Sequence, residues 1–437
     1  MMVNLTLLHT NDLHGAVHQL MRAATLVRQI RTQAAAAGGS TLYLDAGDSE
    51  ETNQVESCLT RGSSMYVLLK AAGCDQVALG NAIPLRYGPQ AIAALAQTYG
   101  QPLLCGNLYY NDGSLPKGLS PFELLAPGGH PVGIIGMTAL VSAYPIFDLQ
   151  TNFPLEKAAA LVEQVRAQGA KTVILLSHLG QRDDIALAET VAGIDVIVGG
   201  HSHDRISPPL AVKDTLIVQA GQYGEVLGRL ELLIDPSTGK LTNYHAELIP
   251  LGNEIDEDEQ TLLAFEGEKE RVKGLMQQLV GELRIPLEVS DTSECSAGDL
   301  LADALLARYP GADVSMILAG HWNTGLDIGK VTVGALNLAN RSTGNPCRVE
   351  LTGGQVMQFL LAALQPENLV EPRHALRGRS TGLPHVAGMR VIVHGKPPTR
   401  IELWMGKHLV LPEERLLVVT SDLEISDILN YLYIPDE

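Results

Sequence analysis

Residues 3–15 read VNLTLLHTNDLHG, a strand-like run that passes directly into a turn carrying Asp12 and His14 two positions apart. In an extended segment side chains i and i+2 point the same way, so an Asp-x-His pair can grip one edge of a metal ion. Four later segments repeat the arrangement of an apolar run ending in polar donors. They are TLYLDAGD with Asp48, QVALGN with Asn81, TVILLSH with His178, and VIVGGHSH with His201 and His203. Helical patterns over about 19–37, 60–72, 88–98, 155–168 and 184–192 lie between and around these runs. Strands alternating with helices predict an α/β layered domain. Such sheets place ligands where strands end and loops begin. Mixed imidazole and carboxylate donors suit manganese, iron or zinc rather than calcium. Two divalent ions about 3.5–4 Å apart activate water and clamp a phosphoryl oxygen, so the donors point to metal-assisted hydrolysis.

The rest of the composition narrows the class. Of 437 residues 46% are hydrophobic and 18% charged, which fits a globular chain of two or three domains with a sizeable core. A net charge of −18 repels phosphate backbones and argues against nucleic-acid partners. Cys58, Cys74, Cys105, Cys295 and Cys347 form no CxxC pair, so neither a disulfide framework nor a thiolate zinc site is expected, and a reducing compartment fits. No apolar run reaches the roughly 18 residues of a membrane span, and no basic n-region precedes the first strand. The chain as given therefore reads as cytoplasmic, without a membrane partner; one from which a leader had been removed, periplasmic or extracellular, would read the same.

Domain boundaries follow from charge. Residues 1–250 form the metal domain, and residues 251–275, with eight acidic against three basic side chains, predict an exposed linker helix. A second domain spans 276–437, with helices in ECSAGDLLADALLARY and GGQVMQFLLAALQ. The basic loop EPRHALRGRSTGLPH, 371–385, reads as a surface loop or one facing a phosphate.

The order of these motifs, together with ECSAGDLLADALL, GKVTVGAL and VELTGGQV, resembles the calcineurin-like metallophosphoesterases. Within them it is most similar to the 5′-nucleotidase family, which includes UDP-sugar hydrolases and 2′,3′-cyclic phosphodiesterases. The resemblance spans nearly the whole chain. It implies a four-layer αββα sandwich joined by a linker helix to a smaller α/β substrate domain, and a small phosphorylated substrate. It also implies two divalent ions (Mn²⁺, Zn²⁺ or Fe²⁺). Asp12, His14, Asp48 and His203 would hold one, and Asp48, Asn81, His178 and His201 the other, with Asp48 bridging and Asn81 holding phosphoryl oxygens. Asn11 would orient a ligand or the phosphate.

The sequence also departs from that pattern. The family's GNHEFD run, whose His stabilises the transition state or protonates the leaving oxygen, is here GNAIPLRYG. Ala82 stands at the His position and cannot transfer a proton, a loss of about 10²–10⁴-fold that bears hardest on poor leaving groups. In the second domain the family's nucleotide-binding Arg loop and paired aromatics correspond to AGHWNTGLDIGK, NRSTGNP and AGMRVIV. No Arg sits in the first, and the expected phenylalanines are missing from the other two. His321 and Trp322 are candidate substitutes for the base contacts, and Arg86, Arg341 and Arg390 candidate phosphate clamps. Three readings follow: a phosphoesterase favouring diesters or good leaving groups, a metal-stabilised binding or assembly protein on the same scaffold, and hydrolysis of a non-phosphate ester such as a sulfur-containing conjugate.

Overall fold

The opening strand, Val3–Thr10, is buried from Leu5 onward, because it lies inside a sheet covered on both faces. Leu5 and Leu7 point into one apolar cluster and Leu8 into another, as the two-residue period of a strand requires. In a computed structural model that describes residues 2–51, 54–340, 342, 344–370 and 382–425, the chain divides into two compact units, Met1–Val272 and Lys273–Glu437.

Beside two short two-stranded sheets, two large ones build the first unit. One orders its strands Leu241–Pro250, Val226–Ile234, Val3–Thr10, Ser40–Asp45, Gln76–Val77; the other orders Arg205–Val212, Thr215–Ala220, Val196–Val198, Thr172–His178, Val132–Thr138, Phe122–Leu125. Val3–Thr10 runs parallel to Ser40–Asp45, and Thr172–His178 parallel to Val132–Thr138 and Val196–Val198. Leu5, Leu7, Leu42 and Leu44 of the first sheet meet Ile134, Ile174, Leu176 and Val198 of the second. Helices Val17–Ala36, Ser63–Ala71 and Ala91–Tyr99 cover the outer face of the first sheet. Pro154–Ala167 and Gln181–Thr190 cover that of the second. The layers run helix, sheet, sheet, helix, as the family resemblance implies. Each fully buried Leu, Ile or Val contributes about 1.5–3 kcal/mol.

Three helices begin about three residues from where the periodicity suggests, one of them at Ala91 rather than 88. Gly62, at φ +83°, delays another to Ser63, and Gly180, at φ +95°, lets the third begin early, at Gln181. Left-handed backbone of this kind favours glycine. The acidic run forms helix Glu259–Met276, but one face is not solvated: Thr261, Phe265, Glu268 and Val272 are buried. Asp258 accepts from the Thr261 backbone N–H and pairs with Arg28 at 2.5 Å.

The second unit is built on a four-stranded sheet, ordered Pro346–Thr352, Arg415–Ser421, Val314–Leu318, Pro384–Ala387. Helix Ser296–Arg308 packs on one face through Ala302 and Leu305. Helix Gly353–Ala363 packs on the other through Val356, Phe359 and Leu360. All five cysteines are free thiols, and no described helix is long and apolar enough to cross a membrane.

The short strand Leu103–Leu104 crosses close to Gly136 of the second sheet, where a Cβ would lie 2.3 Å from the Leu104 carbonyl carbon. Backbone cannot yield as a side chain does, so Gly136→Ala is expected to destabilise the protein by about 1–3 kcal/mol in urea unfolding.

Candidate metal centre

The strand ends converge on two groups of donors, Asp12–His14–His203 and Asp12–Asp48–His178, with each group's ligand atoms within 4.8 Å of one another. Asp12 follows Val3–Thr10, is fully buried, and is shared by both. Its Oδ2 accepts from Asn11 Nδ2 at 2.8 Å and from the His201 backbone N–H at 2.9 Å. Its Oδ1 makes no hydrogen bond but lies 3.2 Å from His203 Nε2, 3.7 Å from His14 Nε2 and 3.8 Å from His178 Nε2. His14 and His203 face each other, Nε2 to Nε2, at 3.3 Å.

His178 ends Thr172–His178. Its Nδ1–H donates to the Ala46 carbonyl at 2.7 Å, which turns Nε2 toward Asp48 Oδ2, 3.3 Å away without hydrogen-bond geometry. A backbone partner on one ring nitrogen is how metal-binding imidazoles are oriented. Asp48 Oδ1 accepts from the Ala82 backbone N–H at 2.9 Å. Asn81 stands between that residue and Gly80, whose Cβ would fall 2.0 Å from Asp48 Oδ1, and its own Oδ1 is buried without a hydrogen bond. The His201 ring lies 5.3 Å from that of His178.

Backbone strain gathers here. Of nine described non-glycine residues at positive φ, five are Asp12, His14, Asp48, His201 and His203. Each costs on the order of 1–3 kcal/mol and persists only where surrounding contacts impose it. A Cβ at Gly47 would lie 2.7 Å from the Gly80 nitrogen, and one at Gly200 2.9 Å from His178 Nδ1.

The electrostatics ask for a cation. Burial raises the Asp48 carboxyl, yet His178, His14 and the Ala82 N–H together hold Asp48 below the ordinary range. Burial likewise lowers His178, but Asp48 and Asp12 lift it to about 10. His203 is raised by its contact with Asp12, whereas burial lowers His14 and His201. Two buried carboxylates thus draw protons onto His178 and His203, and a divalent ion can replace those protons. The unpartnered Asp12 Oδ1, His178 Nε2 and Asn81 Oδ1 fit such an ion.

Comparison with known proteins places the chain. Residues 276–423 match the profile of the 5′-nucleotidase C-terminal domain. An uncharacterized metallophosphoesterase of Bacillus subtilis, YunD, is 30% identical over 394 residues, covering 89% of this chain and 84% of its own. This chain belongs to the 5′-nucleotidase family of metallophosphoesterases. The 5′-nucleotidase of Bos taurus is 28% identical over 355 residues, covering 70% of this chain and 61% of its own. The structure of a 5′-nucleotidase precursor from Thermus thermophilus superposes with a TM-score of 0.58 at 26% identity, covering 99% of this chain and 92% of that one.

As a family member the chain keeps its other candidates in varied settings. Asn11 is buried and fully engaged: besides Asp12, Nδ2 donates to the Gly221 carbonyl at 2.6 Å, and Oδ1 accepts from the Ala220 N–H at 2.9 Å. Arg86 pairs with Glu51 at 3.0 Å. Trp322 is buried among Leu287, Ala297 and Ala339. His321 Nε2 lies 2.6 Å from Glu424 Oε1 and its Nδ1 2.5 Å from Ser342 Oγ. Arg390 is exposed, with its guanidinium 5.9 Å from the Trp404 ring centre. Arg341 and most of the basic loop lie outside the described residues.

Two acids escaped the sequence reading because their runs, DSEE and QRDD, look like solvated loop and helix face. Glu50 is fully buried with neither oxygen hydrogen-bonded, and burial, then the Asp48 charge, raise it to about 8. Asp184 accepts from Ser177 Oγ at 2.5 Å, and its Oδ2 would lie 2.7 Å from a Cβ on Gly199, at the root of the His201–His203 loop. Burial raises Asp184 to about 7. The folded chain therefore keeps a proton that the unfolded chain releases near pH 4, so stability falls as pH rises through that window. Asp184→Asn, which retains an acceptor for Ser177, should melt progressively higher relative to the parent between pH 5 and 8. An unchanged difference across that range would refute the assignment.

Proposed function

We propose that this chain is a two-metal phosphoric ester hydrolase of altered specificity. Asp12, His14, Asp48, Asn81, His178, His201 and His203 are the ligand set, and manganese, zinc or iron the ions. The observation that carries the reading is the pair of donor groups meeting at the unpartnered Asp12 Oδ1. When bound, such ions polarise a phosphoryl group and ease deprotonation of water.

The chain's own residues set the frame for that chemistry. Asn11 and the His201 N–H fix one oxygen of Asp12 and leave the other for the ions. The Ala46 carbonyl fixes the His178 tautomer, and the Ala82 N–H fixes the rotamer of Asp48. Asn81 presents its amide toward the phosphoryl oxygens. At Ala82 only a methyl group stands where the family carries its imidazole, so the leaving oxygen departs without that proton donor. Phosphodiesters and esters of acidic alcohols or phenols are therefore favoured over nucleoside monophosphates. The substrate is a small phosphorylated molecule.

Metal analysis of the reconstituted protein should find two equivalents of Mn²⁺ or Zn²⁺. Asp12→Asn should lose both, because both donor groups contain Asp12, whereas failure of the parent to take up metal would overturn the reading. Initial rates of the manganese-loaded protein, with Asp48→Asn as the blank, should be readily measured on p-nitrophenyl phosphate and lower by about 10²–10⁴-fold on AMP. Equal rates would mean that another group protonates the alkoxide. Ala82 also favours the second reading, a metal-stabilised binding protein, which full metal occupancy with no turnover of either ester would support.

A further inference from the structure

The carboxy-terminal unit holds a second constellation that the metal chemistry does not use. Cys295 is the N-cap of helix Ser296–Arg308, yet its side chain caps no backbone N–H, the service for which Ser, Thr, Asp and Asn are preferred there. Its Sγ lies instead 3.6 Å from His385 Nε2, with the Ser290 carbonyl at 3.8 Å. On the far side of the ring, His385 Nδ1 lies 2.8 Å from Asp299 Oδ1. An ionised carboxylate only accepts, so Nδ1 carries the proton and Nε2 turns its lone pair to the thiol.

The surroundings are built for this ring. A Cβ at position 298 would lie 2.3 Å from the imidazole, so Gly298 alone admits His385 against the first turn of the helix. The His385 side chain is 1% exposed while that of Asp299 is 46% exposed. His385, Asp299, Glu294 and Arg390 line a cavity of about 460 Å³ with an apolar wall that includes Leu360 and Val386. Cys295 itself is buried, with 8% of its surface exposed, and its neighbour Glu294 lines the cavity.

We propose that Cys295, His385 and Asp299 form a thiol modification site for small soft electrophiles, and that its reagent is hydrogen peroxide. His385 Nε2 takes the thiol proton, and the helix N-terminus together with the resulting imidazolium stabilises the thiolate. The sulfur attacks one peroxide oxygen, an S–O bond forms and the O–O bond breaks. The departing hydroxide takes the proton from His385 and leaves as water. Sulfur is oxidised to a sulfenic acid and the peroxide is reduced. Asp299 is a positioning residue that holds the tautomer. Burial pushes the thiols of Cys74 and Cys347 well up and that of Cys105 to about 11.

The test is residue-resolved alkylation of the intact folded chain by iodoacetamide at pH 7, read by mass spectrometry after digestion. Cys295 should react at least about tenfold faster than Cys58, Cys74, Cys105 and Cys347, and His385→Gln should slow it about tenfold while the other four keep their rates. Peroxide followed by dimedone should leave an adduct on Cys295 of the parent and none on the variant. Cys295 reacting no faster than Cys58, or unaffected by His385→Gln, overturns the proposal, as does fast alkylation without a dimedone adduct. If His385→Gln opens the fold, Cys74 and Cys105 report it by faster labelling. Asp299→Asn then serves, and an unchanged Cys295 rate in that variant overturns the proposal.

Discussion

The carboxylate of Asp12, buried at the end of the first strand with one oxygen free of hydrogen bonds, sets the terms for the whole first unit. A buried charge is tolerated only where partners compensate it. Here the compensation comes from three imidazoles on three separate segments, with Asp48 adding a second negative charge alongside. The strands that deliver these groups run parallel at the middle of two sheets, so their ends meet. Packing of the inner core fixes where each strand stops.

Such convergence has a conformational cost. Five donors sit in left-handed backbone, and glycines at 47, 80 and 200 occupy points where any Cβ would strike backbone or ligand. The core between and outside the sheets supplies the stability that holds these loops in place. A donor set maintained in this way, with ring nitrogens and carboxylate oxygens directed at one another, resists explanation as ordinary loop packing.

Much of this was legible in the sequence, for identifiable reasons. Asp12 and His14, like His201 and His203, stand two residues apart just past the close of apolar runs, which marks them as strand-end donors; the left-handed backbone that actually aims them is not visible in a two-residue period. The four-layer order was not in the periodicity, since inner and outer faces of a fully buried strand look alike; it came from the resemblance. Glu50 and Asp184 were hidden because acids in polar runs read as solvated. The buried face of Glu259–Met276 was legible in principle, as Thr261, Phe265, Glu268 and Val272 recur at helical spacing, but the eight acids around them dominate the composition. His385 and Cys295 are ninety positions apart, and the packing of helix Ser296–Arg308 against strand Pro384–Ala387 brings their segments together.

The helix Glu259–Met276 also decides where the first unit can be cut. A chain ended at residue 250, where the charge run begins, would leave Arg28 without Asp258 and strip Phe265 from the cluster around Met21 and Leu69. The segment that looks like a tether is the last wall of the metal-bearing unit. A truncated form made to isolate that unit must carry the acidic helix through Val272, and its solubility when cut shorter would say nothing about the metal site.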